Sequence, residues 1–283
     1  MFEHVVVAAH FASANSPLFD SLKDLHDHGA RELTLVDVLR SHHSGSHDPG
    51  TREIANKRLL EQKTQLEHAG FRVNVEVTTG QPAQEIFNIA RRHGASLILA
   101  GSRGEHHLRE FLRGSTILQL VRRSTLPTLI EPIEAQYHQV RGRGFKRLLL
   151  ATDFSGRVSP AEQAMLNLAG QAECIVLTHV IDDDIAEVFG EDQARAAAHE
   201  KLRLLAARLP ESAPAPVLEV VGGLPSREVL RLARVHDIST IIMGKRGDGP
   251  VDEVLLGSTT DAVIRQAGCA VLMVPQRGVT TDS

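Results

Sequence analysis

The chain has 283 residues, 42% of them hydrophobic, 23% charged and only 4% aromatic, with 22 Gly, 12 Pro and 2 Cys. That composition excludes collagen-like, disordered and disulfide-scaffold classes, and the length suits two domains of roughly 140 residues. The net charge of −4 gives no reason to expect nucleic acid or anionic lipid as partner, and no apolar run reaches the roughly 20 residues of a membrane span.

The first apolar run, Val5 to Ala9, begins so close to the initiator Met that a signal peptide does not fit before it, and two cysteines match a reducing compartment. A cytoplasmic location is therefore expected. Further short apolar runs at Glu32–Val38, Arg72–Thr78, Ser96–Ala100 and Thr128–Glu131 read as strands. The stretch Ser41 to Gly50 carries His42, His43, His47 and Asp48. Imidazole and carboxylate are zinc ligands, but adjacent histidines lack helical ligand spacing, and the Ser and Gly content is that of a solvated connector. A site built from His10 with His106 or His107 stays open as the minor alternative. The polar segment EAQYHQVRGRG has no apolar period and reads as a linker, which divides the chain into a domain 1–133, a linker 134–144, a domain 145–276 and a tail 277–283.

Beyond the linker the same alternation returns. Arg147–Ala151 is a strand, and Ser159-Pro160 opens a helix with an N-cap and Pro at its first position. Cys174–Ile181 is a strand, followed by Asp182-Asp183-Asp184 as an acidic helix start and a long helix broadly from Asp184 to Leu209. Val217–Val221 is a third strand, Gly223-Leu-Pro225 leads into a helix, and Thr240–Met243, Ser258–Gln266 and Ala270–Val274 complete a strand, a helix and a strand. Cys174 and Cys269 sit at strand starts as small core residues.

The two halves are copies. Leu97-Ile-Leu-Ala-Gly101-Ser-Arg-Gly104 returns 143 residues later as Thr240-Ile-Ile-Met-Gly244-Lys-Arg-Gly247. The same shift relates Gly114-Ser115-Thr116 to Gly257-Ser258-Thr259, and Gly80-Gln-Pro82 to Gly223-Leu-Pro225. A constant shift means a duplicated domain rather than a solenoid. Short apolar strands alternating with helices predict an α/β class: two tandem doubly wound domains, each with a five-stranded parallel sheet flanked by helices, whose ligands sit beyond the strand C-termini. Histidine is lopsided, with 12 in residues 1–141 and 3 afterwards.

The loop after the fourth strand carries the chemistry. Gly244 and Gly247 permit backbone turns close to a ligand. Gly257-Ser258-Thr259 begins a helix whose unpaired N–H groups and dipole favour phosphate, with two hydroxyls as added donors and Lys245 and Arg246 as nearby charge. No P-loop, dinucleotide fingerprint, kinase or hydrolase-elbow signature occurs.

G-x-x-G, nine residues, then G-[ST], with Ala151-Thr-Asp-Phe-Ser155 after the first strand, resembles the universal stress protein family over nearly the whole chain, as two tandem copies. The resemblance implies an adenine nucleotide alpha hydrolase-like fold, an ATP-binding branch, and pairing of two domains as a pseudo-dimer within the chain, with room for a homodimer besides. Carried across, it places Ala151, Thr152, Asp153 and Val180 at the adenosine, and Met243, Gly244, Lys245, Arg246, Gly247, Gly257, Ser258 and Thr259 around sugar and phosphates. In the first copy the matching positions are Ala9, His10, Val38, Ala100, Gly101, Arg103, Gly104, Gly114, Ser115 and Thr116. His10 stands there where the second copy has Asp153, which leaves adenosine recognition in the first copy open. ATP, with or without Mg2+, is the expected ligand, and no nucleic acid or membrane partner is expected. No catalytic acid or base stands out, so a nucleotide-binding stress regulator is the first reading. A slow ATPase or phosphotransferase assisted by Lys245, Arg246, Asp248 or Asp252, and an interaction scaffold with empty sites, are the alternatives.

Overall fold

Central strands made of Val5, Val6 and Val7 in one copy, and of Leu148, Leu149 and Leu150 in the other, expose none of their surface. Strands buried on both faces are the signature of a parallel sheet covered by helices on each side. The computed structural model describes residues 2–8, 17–39, 49–102, 116–132, 144–154, 159–181, 190–245 and 256–276. The chain divides into two units, Met1–Gln136 and Tyr137–Ser283.

The first unit contains strands β1 (His4–Ala8), β2 (Glu32–Leu39), β3 (Arg72–Thr79), β4 (Leu97–Ser102) and β5 (Thr128–Pro132). Helices α1 (Pro17–Asp27), α2 (Pro49–His68), α3 (Pro82–Arg92) and α4 (Thr116–Arg123) alternate with them. All the pairings are parallel, in the order β3-β2-β1-β4-β5. The second unit has β6 (Arg147–Ala151), β7 (Cys174–Ile181), β8 (Val217–Gly222), β9 (Thr240–Gly244) and β10 (Ala270–Val274). Between them lie α5 (Pro160–Leu168) with a 3-10 turn Ala169–Gln171, α6 (Glu191–Ala206), α7 (Pro225–Val235) and α8 (Ser258–Gln266). Its strands run parallel in the order β8-β7-β6-β9-β10. The strand order reverses between β1 and β4, and between β6 and β9, which is where ligands of doubly wound sheets enter.

Local chemistry explains where the elements start and stop. Proline occupies the first turn of α3, α5 and α7, where its missing N–H costs nothing. Ser159 is the N-cap residue of α5 but makes no side-chain cap bond. The amphipathic α3 buries Ala83, Ile86, Ile89 and Ala90 against Val6, Val36 and Ile98. The long helix expected from Asp184 to Leu209 is shorter: α6 ends at Ala206, and Ala207 and Arg208 form a turn. Leu209 precedes Pro210, whose ring disfavours a helical residue before it. The connector expected over Ser41 to Gly50 also ends sooner, because Pro49 and Gly50 already belong to α2. Strand β4 starts at Leu97 rather than Ser96 and runs on through Ser102, while β1 takes in His4. Residues 182–189 and the histidines at 42, 43, 47, 106 and 107 lie outside the described residues.

The duplication extends to side-chain bonds at the amino ends of the sheets. Ser96 Oγ accepts from the His4 N–H at 3.2 Å, and Ser239 Oγ from the Arg147 N–H at 3.0 Å. Glu76 pairs with His93, and Glu219 with His236 at 2.9 Å, each tying the end of a helix to the outer strand. Cys269 is buried and Cys174 half-buried, neither in a disulfide. Among the described residues, no helix is long and apolar enough to cross a membrane.

Candidate functional site

In the second unit, register brings the carboxyl ends of three strands level. Ala151 pairs with Thr178 on one side and with Met243 on the other. Residues just beyond these positions therefore share one edge at the strand-order reversal: Thr152 and Asp153 after β6, Val180 near the end of β7, and Gly244 with Lys245 at the end of β9.

Thr152 is buried at 9% exposure, whereas Asp153, next along the chain, is exposed. Phe154 then takes φ 59°, a left-handed conformation that costs a side-chain-bearing residue about 1–2 kcal/mol. Such strain persists only where the surroundings over-determine it. The Thr152 hydroxyl accepts from the Phe154 N–H at 3.0 Å and donates to Glu162 Oε1 at 3.2 Å. Glu162, in the first turn of α5 and only 8% exposed, faces Arg208 Nη1 at 3.4 Å through its other oxygen. From β7, His179 Nδ1 donates to the Thr152 carbonyl at 2.9 Å. The His179 ring lies 4.8 Å from the Phe154 ring at 30°, and Lys201 Nζ stands 5.0 Å from that phenyl centroid.

Burial holds the His179 imidazole below its usual pKa range; the Thr152 carbonyl and the Asp153 charge pull it upward, and Lys201 pushes it down again. The ring is thus neutral at pH 7, with its proton on the nitrogen that faces Thr152.

The phosphate-seeking half of the expected site is held by backbone. Helix α8 starts at Ser258, and its N-cap Gly257 supplies no side-chain cap, so its first N–H groups have no capping oxygen. Thr260 Oγ1 donates to the Gly244 carbonyl at 3.4 Å, fixing the helix start against β9, and the Lys245 N–H donates to the Val274 carbonyl at 3.0 Å, holding the end of β9 to β10. Gly257 N–H points to the Lys245 carbonyl at 3.5 Å, which brings the start of α8 to the end of β9. Ser258 is exposed, Thr259 and Lys245 are half-buried, and Met243 is buried.

One expectation changes in character. Gly244 was expected to leave the strand with dihedral angles closed to other residues, but it is the last residue of β9 and pairs in register with Val274. Gly257 has φ −60° and ψ 147°, extended backbone that any residue adopts. What glycine supplies at 257 is the absence of a side chain over the helix start. Arg246 and Gly247 lie outside the described residues.

In the first unit Val38 is half-buried in β2, Ala100 and Gly101 lie in β4, and Thr116 is the first residue of α4. Ala9, His10, Arg103, Gly104, Gly114 and Ser115 lie outside the described residues. Sequence reasoning singled out Thr152 and Asp153 but missed Glu162, His179, Lys201 and Arg208 behind them. The sequence signal for Glu162 and His179 is that the first copy has Phe19 and Asp37 at the corresponding positions.

The model of the Universal stress protein family matches residues 1–132 and, a second time, residues 144–275. The chain is 35% identical over 78 residues to Universal stress protein MJ0577 of Methanocaldococcus jannaschii, covering 28% of this chain and 48% of that protein. It therefore spans about half the length of that relative. It is 30% identical over 136 residues to the "Universal stress protein in QAH/OAS sulfhydrylase 3'region" of Thermus aquaticus, covering 46% of this chain and 98% of that one. The crystal structure of a universal stress protein from Archaeoglobus fulgidus aligns with TM-score 0.73 and 24% identity, over 97% of this chain and 98% of its own, a likeness of fold.

Proposed function

The chain belongs to the universal stress protein family, and we propose that it is an ATP-binding regulator in which the second copy holds the nucleotide. One observation carries the reading: an uncapped helix start, Gly257 to Thr259, stands at the same sheet edge as the exposed carboxylate of Asp153. An uncapped N-terminus offers several N–H donors and a positive dipole end to a polyphosphate. A carboxylate accepts hydrogen bonds from ribose hydroxyls or an adenine amine.

In this reading the triphosphate rests on the N–H groups and hydroxyls of Ser258 and Thr259, with Lys245 and Arg246 as counter-charges, and Gly244 and Gly247 flank it. Adenosine meets Asp153 and the backbone of Val180. The chain's own residues bind and orient; occupancy, rather than turnover, is the signal. A hydrolysis rate above about 1 per second would instead favour a slow ATPase.

Ligand-dependent stability tests the reading. A ligand at 100 times its dissociation constant stabilises by about 2.7 kcal/mol. ATP should raise the unfolding temperature of the full chain, and Gly247→Val combined with Ser258→Glu should abolish that rise while leaving the unliganded midpoint near wild type. No shift with millimolar ATP in the wild type favours the scaffold reading.

A further inference from the structure

The Asp153 turn is gripped from behind by groups that the first copy does not possess. Strand register equates β6 with β1 and β7 with β2, since Arg147 pairs with Cys174 as His4 pairs with Glu32. Thr152 then corresponds to Ala9, His179 to Asp37, and Glu162, two residues after the proline that opens α5, to Phe19, two after the proline that opens α1. Alanine has no hydroxyl to bond a following N–H. Phe19 is a buried phenyl where the second copy has its buried carboxylate. Asp37, also buried, presents an acceptor where His179 presents a donor to a carbonyl. None of the three bonds that hold the second copy's turn can form in the first.

We infer that Thr152, Glu162 and His179 are positioning residues for Asp153, and that this supporting set, not the exposed acid alone, confines adenosine recognition to the second copy. The inference rests on the nucleotide reading above and deepens it. Two bonds converge on Thr152 from opposite sides: α5 reaches its hydroxyl through Glu162, and β7 reaches its carbonyl through His179. Between them they fix the residue that precedes Asp153. The left-handed Phe154 that follows is clamped by the Thr152 hydroxyl, the His179 ring and Lys201. A turn so held presents its carboxylate in one direction, and preorganisation of that kind raises affinity without adding a contact. The acid and the imidazole occupy opposite positions in the two copies, Asp153 with His179 and His10 with Asp37. Because Asp153 acts on the charge of His179, the two positions are electrostatically close. His10→Asp by itself would restore the acid without the partners that hold the second copy's turn, and gain nothing.

The test is calorimetric titration of the full chain with ATP and, separately, with inorganic tripolyphosphate. His179→Leu and Glu162→Leu should each weaken ATP binding by about tenfold or more, the equivalent of one hydrogen bond to a charged or oriented group, while tripolyphosphate affinity holds within about twofold. His179→Asn, which keeps a donor for the Thr152 carbonyl, and Glu162→Gln, which keeps an acceptor for its hydroxyl, should recover most of the loss. A parallel fall for both ligands, or no fall for ATP, overturns the inference. A second arm works by gain: Ala9→Thr/His10→Asp/Phe19→Glu/Asp37→His should add an ATP site to the first copy, and His10→Asp alone should not. If the single exchange suffices, the inference fails. Wild type that binds no ATP at all sinks the nucleotide reading itself, a result distinct from either.

Discussion

Arg195 Nη1, on α6, donates to the carbonyl of Val220 at 2.7 Å, and 143 residues earlier Arg52 Nη2, on α2, donates to the carbonyl of Val77 at 3.1 Å. Backbone alternation shows where those carbonyls point. Arg72 donates to Arg31, just before β2, and Gly80 to Leu39 at its end, so the even-numbered residues of β3 face the sheet and Val77 faces away from it. Gly223 donates to Ile181, so Val220 on β8 likewise faces outward. In each copy, then, an arginine from the covering helix occupies an acceptor on the outer strand of the sheet. Unpaired outer strands are templates for pairing with another chain, and charged side chains laid on them oppose it. Arg52→Ala with Arg195→Ala should raise the average mass in sedimentation velocity as concentration increases, relative to wild type. Equal masses across the range would show that the arginines guard nothing.

The half-buried His179 gives the second domain a pH dependence of definite sign. Its pKa in the folded chain lies below the 6.5 of an unperturbed imidazole, so the unfolded chain binds its proton first as the solution is acidified. Stability contributed by the neutral ring is present above pH 6.5 and is lost as pH falls through the window below it. Urea unfolding of the wild type from pH 7.5 down to 5 should show that loss, and His179→Asn should flatten it. Parallel slopes in the two proteins would place the dependence elsewhere.

Gly94 and Asp237 occupy the same position after α3 and α7, both left-handed at φ 61° and 51°. A Cβ on Gly94 would meet nothing within 4 Å, so only backbone strain opposes a side chain there. Gly94→Ala should cost about 1 kcal/mol, and Gly94→Asp less, because a short polar side chain tolerates this conformation. Thermal unfolding reads both; an unchanged midpoint for the alanine variant contradicts the strain argument.

Gly257 leaves α8 uncapped, which is a cost in stability. Gly257→Asp suits its extended backbone and adds both a capping oxygen and a negative charge at the dipole's positive end, a gain of a few tenths to about 1 kcal/mol. The same carboxylate would compete with phosphate for the helix N–H groups. The variant should melt higher than wild type without ATP and respond less to ATP. If both stability and ATP response rise, the polyphosphate does not lie on this helix start.

Much of the fold was written locally. The constant shift between glycines declared the duplication, and continuous apolar runs such as Leu148 to Leu150 declared buried parallel strands, because burial on both faces leaves no polar alternation. The prolines at 160 and 225 marked helix starts for the same local reason. What escaped was chemistry between elements. Glu162 reads as one more first-turn acid, yet it is buried against Thr152 and Arg208, residues 10 and 46 positions away. His179 looks like a strand residue until β7 lies beside β6, and Phe154's left-handed backbone follows from that packing. The opposite error was to have Gly244 leave the strand, when it ends β9 in register with Val274 and sequence spacing alone cannot separate a glycine needed for its dihedral angles from one that simply ends a strand.

The most direct test is to purify the full chain, denature it, and identify and count any nucleotide released. The account predicts an adenine nucleotide at close to one per wild-type chain, lost in Gly247→Val/Ser258→Glu and reduced in Asp153→Ala. A wild-type chain that releases none, and stays empty after incubation with millimolar ATP and desalting, would contradict it.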